Sequence, residues 1–224
     1  MKEQIENQQE IARVKLLKKL ISAIMNDGFQ SLRMDDIAKK MDVSRAKMYK
    51  NFSSKQEVIE GVVNVFIDYI EELEDPNLND DEESFGVWFQ HLFEQSVSLV
   101  GKISDVFLKD LQLAYPDLFD RLKGTLSKRE QQTLKFYQYG KDKGIFNQIN
   151  EKFILLQDDI LLREILNVKY LLYNQMSIQQ VLYDYYQFKK VQLFKAEKIN
   201  IVDDSRIHPV IEHIVEKFNR NLHV

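Results

Sequence analysis

Cysteine is absent from the 224 residues, and glycine (7) and proline (3) are scarce. Without cysteine there is no disulfide framework, no thiolate metal site and no cysteine nucleophile. So few chain breakers over this length argue against a many-turned β architecture and for long helices. No stretch approaches about 18 uninterrupted apolar residues, so no transmembrane span is expected. The N-terminal MKEQIENQQEIARVKLL lacks an apolar signal core. No glycine-rich phosphate loop, G-x-S-x-G or H-E-x-x-H is present. Of the four histidines (His91, His208, His213 and His223), His208 and His213 are five apart, the wrong spacing for a metal pair on one helical face. Asp158 and Asp159 are adjacent, point apart, and read as surface acids. The expectation is a cytoplasmic protein that is not an enzyme, with no cofactor, no metal site and no catalytic residue.

What is present is a soluble globular composition, 44% hydrophobic and 29% charged. The formal charge of −4 argues against a nucleic-acid binder when taken whole, but it is unevenly spread. Arg13 to Lys55 holds eleven basic and four acidic residues, a net +7, which leaves −11 for the rest. A basic head on an acidic body is an electrostatic footprint for DNA at one end.

Residues 33–52, RMDDIAKKMDVSRAKMYKNF, lie inside that head. Met34, Ile37, Ala38 and Met41 recur at i, i+3, i+4 and i+7, one apolar stripe on a short helix. Asp42–Val43–Ser44 breaks the stripe, and Ser44 suits the N-cap of a second short helix, Arg45 to Asn51. That helix carries Arg45, Lys47, Tyr49 and Lys50 within two turns. The pair reads as a helix-turn-helix whose second helix enters the major groove; a helical hairpin with merely solvated charges is the plainer alternative. Ile11, Val14, Leu17, Ile21 and Ile24 form an amphipathic helix before it, ending where Gly28 suits a left-handed position. After it, Ser53 or Ser54 caps a long helix with Val58, Val62, Val65, Phe66, Tyr69 and Leu73 at helical spacing.

The order and spacing of Gly28–Phe29, Asp36–Ile37–Ala38, Val43–Ser44, Met48–Tyr49, Phe52 and Ser54–Lys55 resemble the N-terminal domain of the TetR family of transcriptional regulators. The similarity covers about residues 10–70. By that resemblance Val43 and Met48 pack the second helix onto the core, Tyr49 places its hydroxyl on a phosphate, and Lys55 meets a phosphate at a helix N-terminus. Ser44, Arg45, Lys47 and Lys50 face the major groove or its rim. The chain departs from the family at Arg33, where a Thr usually caps the second helix. Arg has no acceptor, so the cap is weaker by about 1 kcal/mol, Asp36 can still favour that helix terminus, and Arg33 becomes a candidate phosphate contact. Asp42, Ala46 and Lys47 replace a common Gly, Gly and Thr, and Lys47 adds salt-dependent affinity.

The resemblance implies an all-α fold: a three-helix DNA-binding domain (10–70), joined by a long fourth helix to a helical regulatory and dimerisation domain (71–224). Residues 74–84, acidic with Pro76, read as a linker. Helices are expected over about 84–99, 102–114, 116–141, 151–175, 178–195 and 209–219, nine or ten in all. Residues 145–150 read as a loop and 199–202 as a connector. The 151–195 region is apolar on several faces, which suits either a four-helix dimer seam or a central core. Phe89, Phe107, Tyr115, Phe136 and Tyr137 are candidate walls of an effector pocket. The implied function is a homodimeric repressor, released from a pseudo-palindromic DNA operator by a small apolar or amphipathic effector, with no membrane partner. The alternative is a DNA-bound adaptor of the same fold that recruits a protein and takes no small ligand.

Overall fold

The computed structural model describes residues 2–76 and 81–222, with the side chains of 8–76 and 81–219. The middle of the expected linker, 77–80, and His223 lie outside the described residues. The described chain is all-α, in eleven helices: α1 (Lys2–Asp27), α2 (Met34–Lys40), α3 (Arg45–Asn51), α4 (Lys55–Glu71), α5 (Glu82–Lys102), α6 (Asp105–Ala114), α7 (Pro116–Asp142), α8 (Glu151–Ile165), α9 (Val168–Tyr173), α10 (Ile178–Leu193) and α11 (Ile207–Leu222).

Two differences from the sequence pattern have local causes. The single helix expected over 151–175 is broken at Leu166–Asn167, where the Asn167 side chain accepts from the Lys169 N–H and starts α9. A side chain that offers the backbone an alternative acceptor ends one helix and caps the next. The connector over 199–202 is part of a 3₁₀ turn, Ala196–Ile201, and the last helix begins at Ile207, two residues before Pro209.

The chain forms two compact units, Met1–Glu72 with Ile103–Leu126, and Leu73–Lys102 with Ser127–Val224. In the first, α1 packs on α2, α4 and α6, and α2 packs on α3. Leu20, Ile24, Phe29, Ile37, Met41, Met48 and Phe107 are fully buried there. Gly28 ends α1 at φ +74°, and a Cβ at that position would lie 2.5 Å from the Asp110 carboxylate. Glycine alone meets both demands without strain.

In the second unit α5 packs on α8 and α11, and α10 packs on α8 and α11. Its core is aromatic: Phe85, Phe89, Phe93, Phe136, Phe146, Tyr185, Tyr186 and Phe194 are buried. Adjacent rings approach edge to face, as Phe146 and Phe194 do at 4.9 Å. A short backbone pairing ties the α7–α8 loop to the end of α10, with the Asn147 N–H donating to the Leu193 carbonyl (2.8 Å) and the Lys195 N–H to that of Ile145 (3.0 Å).

Candidate functional site

The first unit positions α3 from both ends. Ser44 accepts from the Lys47 N–H at 3.2 Å, which satisfies one of the free donors of the first turn. Met48 is fully buried and pins the helix down, while Arg45, Lys47, Tyr49 and Lys50 are exposed. Seven residues are too few to hold a helix in water unaided, so α3 depends on this anchor and cap. The turn before it puts Asp42 in the left-handed region, φ +58°, a conformation that Asp tolerates better than most residues. Arg45 is partly engaged within the unit, 3.3 Å from the Asp35 carboxylate and with its guanidinium 5.6 Å from the Tyr49 ring centre.

Arg33 is exposed at the start of α2, and its backbone N–H donates to Asp36 at 3.0 Å. Asp36 thus supplies the reverse half of a capping box, although Arg33 has no acceptor for the forward half. Lys55 is less free than its place at the start of α4 suggested. Its ammonium donates to the Gln30 carbonyl at 2.8 Å and lies 5.7 Å from the Phe29 ring centre. Partial burial lowers its pKa, and the charge of Asp110 opposes the shift. Asp110 accepts from the N–H groups of Phe29 (2.7 Å) and Gln30 (3.1 Å), so α6 clamps the loop that leads into α2. The α3–α4 turn is held by Glu57, which accepts from the Ser53 N–H and hydroxyl (both 2.7 Å) and from Arg13 (2.8 Å). Those Ser53 bonds come first among the causes that lower its pKa.

The five candidate pocket residues separate. Phe107 and Tyr115 belong to the first unit, where Phe29 packs against both, with ring centres at 5.7 and 6.1 Å. Phe89, Phe136 and Tyr137 meet in the second unit around a cavity also lined by Leu92, Phe93, Ser96, Asp158, Tyr185 and Lys189. The cavity is small, about 10 Å³, room for a single water.

Asp158 is not the surface acid that its sequence position suggested. It is buried in this cavity, accepts from the Tyr185 hydroxyl at 2.6 Å, and is paired with the buried Lys189 ammonium. Tyr137 lines the same cavity, and the Lys189 ammonium lies 5.1 Å from its ring centre. Burial, then the negative charge of Asp158, holds the pKa of both tyrosines far above the usual phenol range. Burial also lowers that of Lys189, against the pull of Asp158. The signal for this site was periodicity: Asp158 sits four residues from Ile154 and from Leu162, and Lys189 four from Tyr185 and from Leu193, all of them buried. A charge at the register of an apolar stripe is a buried charge, and adjacency to Asp159 masked that register. Asp159 does face solvent, bonded to Arg163 at 2.9 Å.

Comparison with known proteins bears on the first unit above all. Residues 16–62 match the family model for bacterial regulatory proteins of the tetR family. The biofilm operon icaADBC HTH-type negative transcriptional regulator IcaR of Staphylococcus aureus is 26% identical over 111 residues, half of this chain and 53% of that protein. The match thus spans about half the length of these curated relatives. Among solved structures, the ketosteroid transcriptional regulator KstR2 of Mycobacterium tuberculosis superposes with a TM-score of 0.58 at 16% identity, over 82% of this chain and 95% of that one. A regulator assigned to the TetR family from Rhodococcus sp. gives 0.57 at 16%, over 80% and 97%. These likenesses show a shared fold. No helix among the described residues is long and apolar enough to cross a membrane.

Proposed function

The chain belongs to the TetR family of bacterial regulatory proteins through residues 16–62, and on that premise we propose that it is a dimeric, DNA-binding transcriptional repressor released by a small-molecule effector. The observation that carries the DNA-binding half is α3: a short helix anchored by one buried methionine and one capping serine, with Arg45, Lys47, Tyr49 and Lys50 all on its exposed side. In this reading Arg45 and Lys50 meet the major groove, Ser44 and Lys47 lie at its phosphate rim, and Tyr49, Arg33 and Lys55 meet phosphates. Lys55 gives one of its three ammonium donors to the Gln30 carbonyl and reaches a phosphate with another.

Two copies present two such helices to half-sites of a pseudo-palindrome. The dimer reading draws on exposed apolar side chains on two packed helices: Phe153, Leu156 and Ile160 on α8, and Phe188 and Val191 on α10. Ile160→Glu should convert the protein to a monomer in sedimentation without unfolding it. The effector reading draws on the cavity lined by Phe89, Phe136 and Tyr137. The effector shifts the population toward a form whose heads no longer match the half-site spacing.

The test of the whole reading is selection of bound fragments from random DNA at fixed salt. A two-fold symmetric motif supports a dimeric regulator. Salt-sensitive binding with no enriched sequence removes the operator.

A further inference from the structure

The interior of the second unit specifies the chemistry of the molecule it takes. We propose that the effector is an organic cation, an ammonium on an aromatic or aliphatic body, which binds by replacing the Lys189 ammonium on Asp158. This rests on the effector reading above and names its ligand class.

The site is already filled by the chain itself. Asp158 is the centre of a small receptor: the Tyr185 hydroxyl holds its carboxylate, and Phe89, Phe93, Phe136 and Tyr137 complete the aromatic wall. The occupant is the chain's own ammonium, set on the carboxylate and against the face of the Tyr137 ring. A carboxylate within a cage of aromatic rings is what an ammonium ion selects: full charge on one side, the negative faces of π systems on the others. The remaining space holds only one water. A ligand therefore cannot simply be added. It must displace part of the wall.

The two partners of the ion pair are not equally displaceable. Asp158 has a short side chain, fixed by the Tyr185 hydroxyl on α10. Lys189 is held to Asp158 by one atom at the end of a flexible four-carbon stem, and such a stem can re-aim its charge toward water. The partner that leaves is Lys189, so the vacated site is anionic and aromatic. An anionic ligand would need Asp158 to leave instead, which its bond from the Tyr185 hydroxyl opposes. The displaced residue also links the site to the proposed dimer face. Asp158 is on α8 and Lys189 on α10, and these are the helices that carry Leu156, Ile160, Phe188 and Val191. Exchange of an internal ammonium for an external one thus acts on the pair of helices that set the relation between two copies.

The experiment uses the full chain and three probes that share one ring: 2-phenylethylammonium, 2-phenylethanol and phenylacetate. Binding is read by equilibrium dialysis and by thermal shift on wild type, Lys189→Met, Asp158→Asn and the double variant. The ammonium alone should bind wild type. Removing the internal competitor in Lys189→Met should tighten that binding at least about tenfold, and both Asp158→Asn and the double variant, which removes both charges and so keeps a folded control, should lose it. Phenylacetate binding that disappears in Lys189→Met would leave the effector site standing and overturn its cationic class. Equal binding of all three probes, lost in Phe136→Ala but indifferent to Asp158→Asn, would do the same and make the site a general apolar one. No binding of any probe to wild type or to Lys189→Met overturns the proposal. Loss of sequence-specific DNA binding in the separate selection would instead count against the regulator reading.

Discussion

The two units treat charge in opposite ways. In the first, the basic residues of α2 and α3 lie at the surface and the fully buried side chains are apolar. In the second, Arg129, Asp158, Lys189 and Lys190 are all buried, and they are the only buried charged side chains among the described residues. Each has a partner: Asp75 for Arg129 at 2.9 Å, Asp204 for Lys190, and each other for the remaining two. Exposed cations cost the fold little and remain available to a polyanion. Buried ions cost several kcal/mol each in desolvation, which their mutual attraction offsets only when geometry and further hydrogen bonds are good. The first unit is therefore built so that its charges do not decide its stability. In the second, their pairing bears on the stability of the core.

The sharpest way to break this contrast is Lys189→Met. It leaves a buried carboxylate without its counter-ion and should cost about 3–5 kcal/mol in urea unfolding. The double variant Asp158→Asn/Lys189→Met removes both charges but keeps an acceptor for a tyrosine hydroxyl, and should regain most of that loss. A single variant within about 1 kcal/mol of wild type would mean that water reaches the pair, and the two units would then not differ in kind. The matching test in the first unit is Met48→Ala, which deletes the apolar anchor of α3. It should cost about 3 kcal/mol by cavity formation, and DNA affinity should fall with it. Retained stability would show that α3 is held mainly by its cap.

What could be read in the sequence follows the same division. The first unit was legible because its apolar stripes are clean and its punctuation is local. Met34–Ile37–Ala38–Met41 fixes α2, Ser44 starts α3, and Gly28 ends α1 in the left-handed region. The charged residues of α2 and α3 obey the rule that charge marks the exterior, so the candidate contacts on α3 are also surface residues. Tertiary partners were not legible: nothing near Lys55 in sequence announces Gln30, and nothing near Phe29 announces Asp110. In the second unit the rule that charge lies outside fails at Asp158 and Lys189. A reading of charge as exterior therefore placed Asp158 on the surface, and its register with Ile154 and Leu162 was the stronger signal. Phe107 and Tyr115 carry no mark in sequence that distinguishes a core ring from a pocket ring. Only the packing of α6 on α1 separates them from Phe89, Phe136 and Tyr137.

Two smaller changes in α3 test whether stability and DNA contact are separable in the first unit. Ser44→Ala removes the acceptor for the Lys47 N–H and should cost about 1 kcal/mol. Its effect on DNA affinity should be similar for all sequences, because a frayed first turn misplaces every exposed side chain of α3 together. Lys47→Ala is the converse. Its side chain is exposed, so thermal stability should stay within about 0.5 kcal/mol of wild type. If its ammonium neutralises one phosphate, the slope of log affinity against log salt should flatten by about 0.9 per site, with no change in the preferred sequence. An unchanged slope with an altered preference would move Lys47 from the phosphate rim to a base edge. Comparison of the two variants is informative because they share one hydrogen bond: Ser44 holds the backbone of the residue whose side chain is under test. A loss of affinity common to both, without a slope change in Lys47→Ala, would locate the DNA contact in the geometry of the helix start rather than in the charge of Lys47.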